Sequence, residues 1–494
     1  MSQSPGIVSS RFLVLLAGSG LLLVGGLIAA VLFRSPVGAV IAAVCVIGAW
    51  FVSALLAVRY RDRAKLLSLA SKADIRSVIE KVDETRAKES RHEYHQERSL
   101  HRIENSLRRV HVLSAGGIDD VEESELDILF VTSNGAGLGH LSRLSAIAKQ
   151  LPADRSIEFL TMSTAYEQMA DSGYTVHYFP SGGAVGEPPE VWNPMFQWYF
   201  QKLVHRLRPR LVVFDGTWVY KGITDVCRTF GISLVWVQRG MWRRDVDENS
   251  VQRHNARSVV DHVIVPGDYA GTETVDVGKG IDPHYVGPVV MTESHEIVAR
   301  HEACMALGLD PNGKYVLLNL GGGSISDPDS IAHEAFALLR ENAAELTPVQ
   351  VVSPLAELGE CTDGLIRVSA YPVMRYAKAF EAMIAAAGYN TAQEAVSMGV
   401  PSILVPNLNT ITDDQSRRAH LLSERGLCWA VDESSDMTAA IKLLADPDER
   451  RRMRERLDEA ESPSGAVEAA SIVDDILRHS EWPKRAVTLD KRGG

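Results

Sequence analysis

AAAGYNTAQEAVSMGVPSILVPNLNTITDDQSRRA, residues 385–419, holds the organisation of the chain in miniature. A short apolar run ends at Gly388, and a helix is expected to begin near Asn390 and Thr391, two residue types that cap helices well. A second apolar run between Pro401 and Pro406 leads into a polar loop, Asp413-Asp414-Gln415. Strand, glycine turn, helix and strand in that order form the unit of a parallel sheet with crossover helices. Glu394 falls one turn into the helix, on the face expected to look into a cleft. A carboxylate there can accept hydrogen bonds from both vicinal hydroxyls of a ribose.

The same unit stands far upstream. The apolar run 128–131 is followed by SNGAGLGHLSRLSAIAKQL, residues 133–151, in which Gly135, Gly137 and Gly139 lead to His140. A strand-to-helix corner exposes free backbone N–H groups at the positive end of the helix dipole, and glycine lets a ligand approach closely. The spacing is not the G-x-G-x-x-G dinucleotide fingerprint, and no acidic residue ends the next strand to hold a ribose. Short apolar runs at 157–161, 211–214, 234–237 and 263–265 continue this first series. A second series follows at 315–320, 349–352, 365–368, 382–386, 403–405 and 428–430. The expected fold class is therefore α/β, with two Rossmann-like domains facing a cleft. The boundaries are 127–290 and 312–480, with a linker at 291–311, closing helices near 446–460 and 466–479, and a tail at 481–494.

What precedes these domains is different in kind. At 494 residues the chain exceeds one ordinary core, and a net charge of −12 excludes general nucleic-acid binding. Residues 12–33 and 37–58 carry no charge, and each would span about 33 Å as a helix, enough for a hydrocarbon core of roughly 30 Å. Separated only by Arg34-Ser35-Pro36, they predict a transmembrane hairpin within residues 1–58. A cleaved signal peptide would have a shorter apolar region and a small-residue cleavage site, and a second span would anchor the protein regardless. Arg59, Arg61, Arg63 and Lys65 crowd one flank while the turn holds only Arg34, so both termini and the large polar part are expected in the cytosol, with the protein in the cell membrane. Five cysteines, odd in number and widely spaced, agree with a reducing compartment. Residues 59–113 have helical spacing and are expected to form a stalk, with a coiled coil and self-association as its possible use, before a linker at 114–126.

The pattern G-x-N-[ST]-x-x-E-x-x-x-x-G-x-P-x-x-x-x-P followed by Asp-Gln, read from Gly388 to Gln415, resembles that of inverting, metal-independent glycosyltransferases of the two-Rossmann (GT-B) type. The group resembled in particular contains the N-acetylglucosaminyltransferase that makes the last lipid-linked precursor of peptidoglycan. The glycine loop ending in His140 is a second match, and LNLGGGS, residues 318–324, resembles the glycine-rich loop that opens the donor domain. The resemblance spans roughly residues 126–476 and leaves the hairpin and stalk outside. It implies that Gly321, Gly322, Gly323 and Ser324 approach the donor diphosphate, and that the helix start at Gly388, Tyr389, Asn390 and Thr391 binds phosphate through its amides. It further implies that Glu394 holds the ribose, that Asp414 and Gln415 contact the transferred sugar, and that residues 369–373 frame a base, expected to be uracil. His140 would be the general base or would orient the acceptor hydroxyl.

An imidazole with a pKa near 6.5 is available as a base near neutral pH. Aligned amides at a helix start can stabilise a departing nucleoside diphosphate without metal. No tightly bound metal and no cofactor are expected, because neither Asp245-Val246-Asp247 nor Asp327-Pro328-Asp329 caps an apolar strand. On the acceptor side, Asn134, Gly137 and Gly139 belong to the first glycine loop, Arg239 and Arg243 could meet an acceptor phosphate, and Asp215 is a second candidate base. Aromatic residues at 195–200 precede Lys202, His205, Arg206, Arg208 and Arg210, a sequence that suits either an anionic membrane interface or an amphipathic core helix. Gly182-Gly183 reads as an acceptor-side loop. The expected activity is transfer of a hexose or N-acetylhexosamine from a UDP-sugar to a lipid-linked or membrane-held acceptor in cell-envelope glycan synthesis. A nucleotide-sugar epimerase or hydrolase of the same fold, or a catalytically silent envelope scaffold, are the alternatives.

Overall fold

Thirteen short strands lie among the described residues, most of them apolar runs, and the chain assembles them into two parallel sheets. A computed structural model describes residues 124–133, 139–163, 166, 173–320, 328–352, 364–432, 434–460 and 462–483. All of these belong to one compact unit, His101–Gly494. The predicted hairpin, stalk and most of the first linker lie outside the described residues. Among the described residues no helix is long and apolar enough to cross a membrane.

The first sheet has the order β3-β2-β1-β4-β5-β6-β7. Its strands are β1 (Ile128–Thr132), β2 (Ile157–Thr161), β3 (Thr175–Tyr178), β4 (Leu211–Asp215), β5 (Ser233–Val237), β6 (His262–Gly267) and β7 (His284–Pro288). Helices α1 (Gly139–Lys149), α2 (Pro189–Leu207) and α3 (Lys221–Phe230) cross over between them. The second sheet has the order β10-β9-β8-β11-β12-β13. It comprises β8 (Tyr315–Asn319), β9 (Thr347–Val351), β10 (Ile366–Val368), β11 (Ala382–Ala386), β12 (Ser402–Val405) and β13 (Trp429–Ala430). Helix α4 (Arg300–Ala306) precedes β8, and α5 (Tyr389–Ser397) and α6 (Gln415–Glu424) flank β12. Both sheets are buried on two faces, which is why β1, β4 and β11 read as unbroken hydrophobic segments.

Strand order reverses between β1 and β4 in the first sheet and between β8 and β11 in the second. Ligands of open parallel sheets bind at such switch points, beyond the carboxyl ends of the strands. His140 follows the end of β1, Asp215 is the last residue of β4, and Gly388 follows β11. The ends of β1 and β4 lie in register, Thr132 against Asp215. They approach so closely that a Cβ on Gly216 would stand 2.7 Å from the Cβ of Ser133.

Three expectations change. The segment at 291–311 is not a bare linker, since Ala303 and Cys304 of α4 are buried in the core of the second sheet. Helix α7 (Gly465–His479), expected to close the second domain, packs instead on the first sheet. Its Ala466, Ala469, Ala470, Val473 and Leu477 share a core with Ile128, Phe130 and Leu144. Gly465 makes this docking possible, for a Cβ there would lie 1.9 Å from the carbonyl oxygen of Gly287 in β7. The chain thus crosses back at its end. Gly182–Val185 forms a single helical turn capped by Ser181, not an open loop.

Candidate active site

Helix α1 starts at Gly139 and places His140 and Arg143 one turn apart, so both reach the same side. Nδ1 of His140 lies 2.6 Å from Oδ1 of Asp215. Arg143 grips the same carboxylate in a fork, donating from Nε to Oδ2 at 2.7 Å and from Nη2 to Oδ1 at 2.7 Å. Asp215 and Arg143 are both buried. Burial alone would raise the carboxyl pKa, but Arg143 and His140 outweigh it and hold Asp215 below its usual range. The same pairing outweighs burial at Arg143 and raises its pKa.

An ionised carboxylate only accepts hydrogen bonds, so Nδ1 of His140 is the donor, and in the neutral ring the lone pair then lies on Nε2. Asp215 is therefore not the independent base foreseen from sequence. It is enclosed, doubly held by Arg143, and serves as the group that fixes the tautomer and direction of His140. Arg143 was not singled out in the sequence, although its position three residues after His140 was the available signal.

The second sheet meets this cluster directly. Gly388 precedes α5 with extended backbone, and the first amides of α5 lack intrahelical acceptors. Asn390 donates from Nδ2 to the Gly139 carbonyl at 2.9 Å, and its Oδ1 lies 3.4 Å from Nη1 of Arg143. The Arg143 guanidinium sits 5.1 Å from the Tyr389 ring centre. Tyr389 OH donates to the Gly267 carbonyl at 2.8 Å and accepts from the Val289 amide at 3.1 Å. Tyr371, in the segment expected to frame a base, has its hydroxyl 2.9 Å from Oγ of Ser142, and burial pushes its pKa up to about 12. The starts of α1 and α5 thus face each other in contact.

Glu394 is part-buried in the junction between the halves, where its carboxylate accepts from the backbone amides of Met291 and Thr292. Burial outweighs these bonds and pushes its pKa up to about 7. Asp414 caps α6, accepting from the Arg417 amide at 3.1 Å. Gln415 is buried, accepts from the Asn407 amide at 2.9 Å and donates to Asp413 at 3.2 Å. Its amide is engaged within the loop rather than turned outward. Thr391 is part-buried in the first turn of α5. Asn134, Gly137, Gly321, Gly322, Gly323 and Ser324 lie outside the described residues, as does Asp327.

Arg239 differs from its expected role. It pairs with Asp413 at 2.7 Å, and Asp413 also accepts from Arg418 at 2.9 Å. Arg418, fully buried, donates in turn to Asp268 at 2.7 Å, and Asp268 accepts from Gln393 at 2.8 Å. Against burial, Arg239 and Arg418 hold Asp413 down to about 2. This chain of charges crosses from one sheet to the other, and Trp242 forms an antiparallel bridge with Asp413 beside it. The Arg243 side chain is 44% exposed and remains the more accessible of the two arginines. Among the described residues no three His, Cys, Asp or Glu side chains converge as metal ligands would, and Asp247 pairs with Arg253 at 2.7 Å.

Residues 359–476 match the glycosyltransferase family 28 C-terminal domain. Two parallel sheets, with this match in the second, support a glycosyltransferase of the GT-B fold. The chain resembles the UDP-N-acetylglucosamine--N-acetylmuramyl-(pentapeptide) pyrophosphoryl-undecaprenol N-acetylglucosamine transferase of Symbiobacterium thermophilum, with 24% identity over 385 residues, covering 72% of this chain and 98% of the relative. The enzyme of the same name from Bacteroides fragilis is 20% identical, covering 73% and 98%. Among solved structures, a UDP-glucosyltransferase from Polygonum tinctorium superimposes with a TM-score of 0.52 at 16% identity, covering 72% of this chain and 99% of that one. Spinosyn forosaminyltransferase SpnP gives 0.50 at 16% identity, covering 72% and 100%. These two likenesses concern the fold.

Proposed function

We propose that the protein is a membrane-anchored, inverting, metal-independent glycosyltransferase that moves a hexose or N-acetylhexosamine from a UDP-sugar to a lipid-linked acceptor of cell-envelope glycan synthesis. The observation that carries this is the His140–Asp215 pair set against the start of α5. Nε2 of His140 takes the proton of an acceptor hydroxyl as that oxygen attacks the anomeric carbon. The bond from the anomeric carbon to the diphosphate breaks with inversion, and UDP leaves. Its added charge meets the free amides at Tyr389, Asn390 and Thr391 and the positive end of the α5 dipole, which need no metal to act. Glu394, once released from the Met291 and Thr292 amides, accepts from the ribose hydroxyls.

Membrane proximity has support in α2. Trp192, Phe196 and Phe200 are buried in the core of the first sheet, while Val191, Met195 and Trp198 stand 46%, 53% and 58% exposed along one stripe. Lys202 continues that stripe, with its amine 4.6 Å from the Trp198 ring centre. The buried face makes this an amphipathic core helix, and the exposed stripe supports a membrane-facing role for the opposite face. An apolar stripe ending in a cation suits an anionic leaflet, and residues 12–58 would tether it there on the cytosolic side. A lipid acceptor is then met at high effective concentration.

The test is His140→Ala in the full-length chain. Turnover of a UDP-sugar should fall roughly a hundred- to ten-thousand-fold while UDP binding persists. Turnover at the wild-type rate would remove His140 as the base.

A further inference from the structure

Beside His140 lies a narrow recess whose lining includes Asp215, Thr217, Gln238, Arg239 and Trp242. Its lining residues all come from the first half of the molecule. Gln238 stands out in its wall. The residue is 2% exposed, and its backbone amide is satisfied by the Ile264 carbonyl at 2.8 Å. Yet among the described residues neither its side-chain Oε1 nor its Nε2 meets a hydrogen-bond partner. Leaving a buried amide unpaired is costly, and native chains rarely tolerate it without a role.

The charges around it narrow the ligand. Arg143 is spent on Asp215, and Arg239 on Asp413. Neither arginine of the recess has an uncompensated charge with which to hold a phosphate. An amide that both donates and accepts, among paired charges, matches an uncharged group that does the same: a sugar hydroxyl or acetamido group. Donor binding needs the second sheet, whereas this recess belongs to the first and is shared with the base.

We infer that Gln238 binds the neutral sugar face of the acceptor, hydrogen-bonding a hydroxyl or acetamido group adjacent to the attacking oxygen and so helping to choose which acceptor sugar is glycosylated. The inference rests on the proposed role of His140, and it moves acceptor recognition at this point from charge to hydrogen bonding.

The experiment uses the full-length chain in lipid nanodiscs, loaded with UDP, and two soluble probes, methyl β-D-glucopyranoside and methyl 2-acetamido-2-deoxy-β-D-glucopyranoside. Saturation-transfer NMR reads their binding, and calorimetry reads UDP. Wild type should bind at least one glycoside, and sodium phosphate at equal concentration should not displace it. Gln238→Met, which keeps the length and removes the amide, should weaken that glycoside by about tenfold or more and leave UDP affinity unchanged. Because the amide has no partner among the described residues, the same variant should melt no lower than wild type. Displacement by phosphate, absence of glycoside binding in wild type, or unchanged glycoside binding in the variant would each overturn the assignment. A joint loss of melting temperature, UDP affinity and glycoside affinity would make Gln238 structural and overturn it too. Failure of the proposed function would register separately, as wild type that binds no UDP or His140→Ala that turns over normally.

Discussion

His140, Asp215 and Arg143 act as a set, and single substitutions should separate their roles. Asp215→Ala strips a buried guanidinium of its counter-ion, which typically costs about 3–5 kcal/mol. Urea unfolding should register that loss, whereas His140→Ala, at a partly exposed side chain, should leave the urea midpoint nearly unchanged while sharply lowering turnover. Glu394 offers a pH test. Its carboxyl titrates at about 7 in the folded chain against 4.5 for the ordinary group. Between those values the native state holds a proton that the unfolded chain has released, so its contribution to stability declines as pH rises through this window and is flat above it. The stability of wild type relative to Glu394→Gln should therefore fall from about pH 4.5 to about pH 7; a flat difference would place the carboxyl in water. The places of His140 and Glu394 near the starts of helices were legible because a glycine after a buried strand marks a strand-to-helix corner. Arg143, Asp268, Arg418 and Gln238 were not, since their meaning lies in partners 72 to 150 residues away or, for Gln238, in having none among the described residues.

Among elements, the sheet-forming runs announced themselves because buried parallel strands are continuously apolar. Strands β3 (TVHY) and β7 (HYVGP) escaped notice because histidine, glycine and proline interrupt them, and because they lie at the edges of the sheet, where burial is one-sided. The periodicity of α7 was legible but its destination was not, since an apolar helical face fits either sheet. Its docking makes a sharp prediction. Gly465→Ala pushes a methyl group into the Gly287 carbonyl and should destabilise the protein by about 1–3 kcal/mol, read as a lower urea midpoint. Tyr389→Phe removes the hydroxyl that satisfies Gly267 and Val289, leaving two buried backbone groups unpaired at the junction of the sheets. A loss of similar size, about 1–3 kcal/mol, is expected. Unchanged stability in either variant would contradict the packing described.

At the scale of the molecule, two parallel sheets present their switch points to each other and are joined by buried ion pairs running through Arg239, Asp413, Arg418 and Asp268. Composition and alternation sufficed to foresee two such halves. They could not show that Arg239, one of the two arginines expected to greet a phosphate, is consumed in joining them. The proposed anchorage is tested by removing residues 1–58: the remaining chain should leave the integral membrane fraction yet still sediment with anionic vesicles, and Trp198→Ser should weaken that residual binding in a salt-sensitive background. The most direct measurement is a structure of the protein with UDP bound. The diphosphate should rest on the amides of Tyr389, Asn390 and Thr391, with the uracil near residues 369–373 and Nε2 of His140 facing the space beyond the β-phosphate. UDP bound away from the start of α5, or a His140 ring turned from that space, would contradict the account.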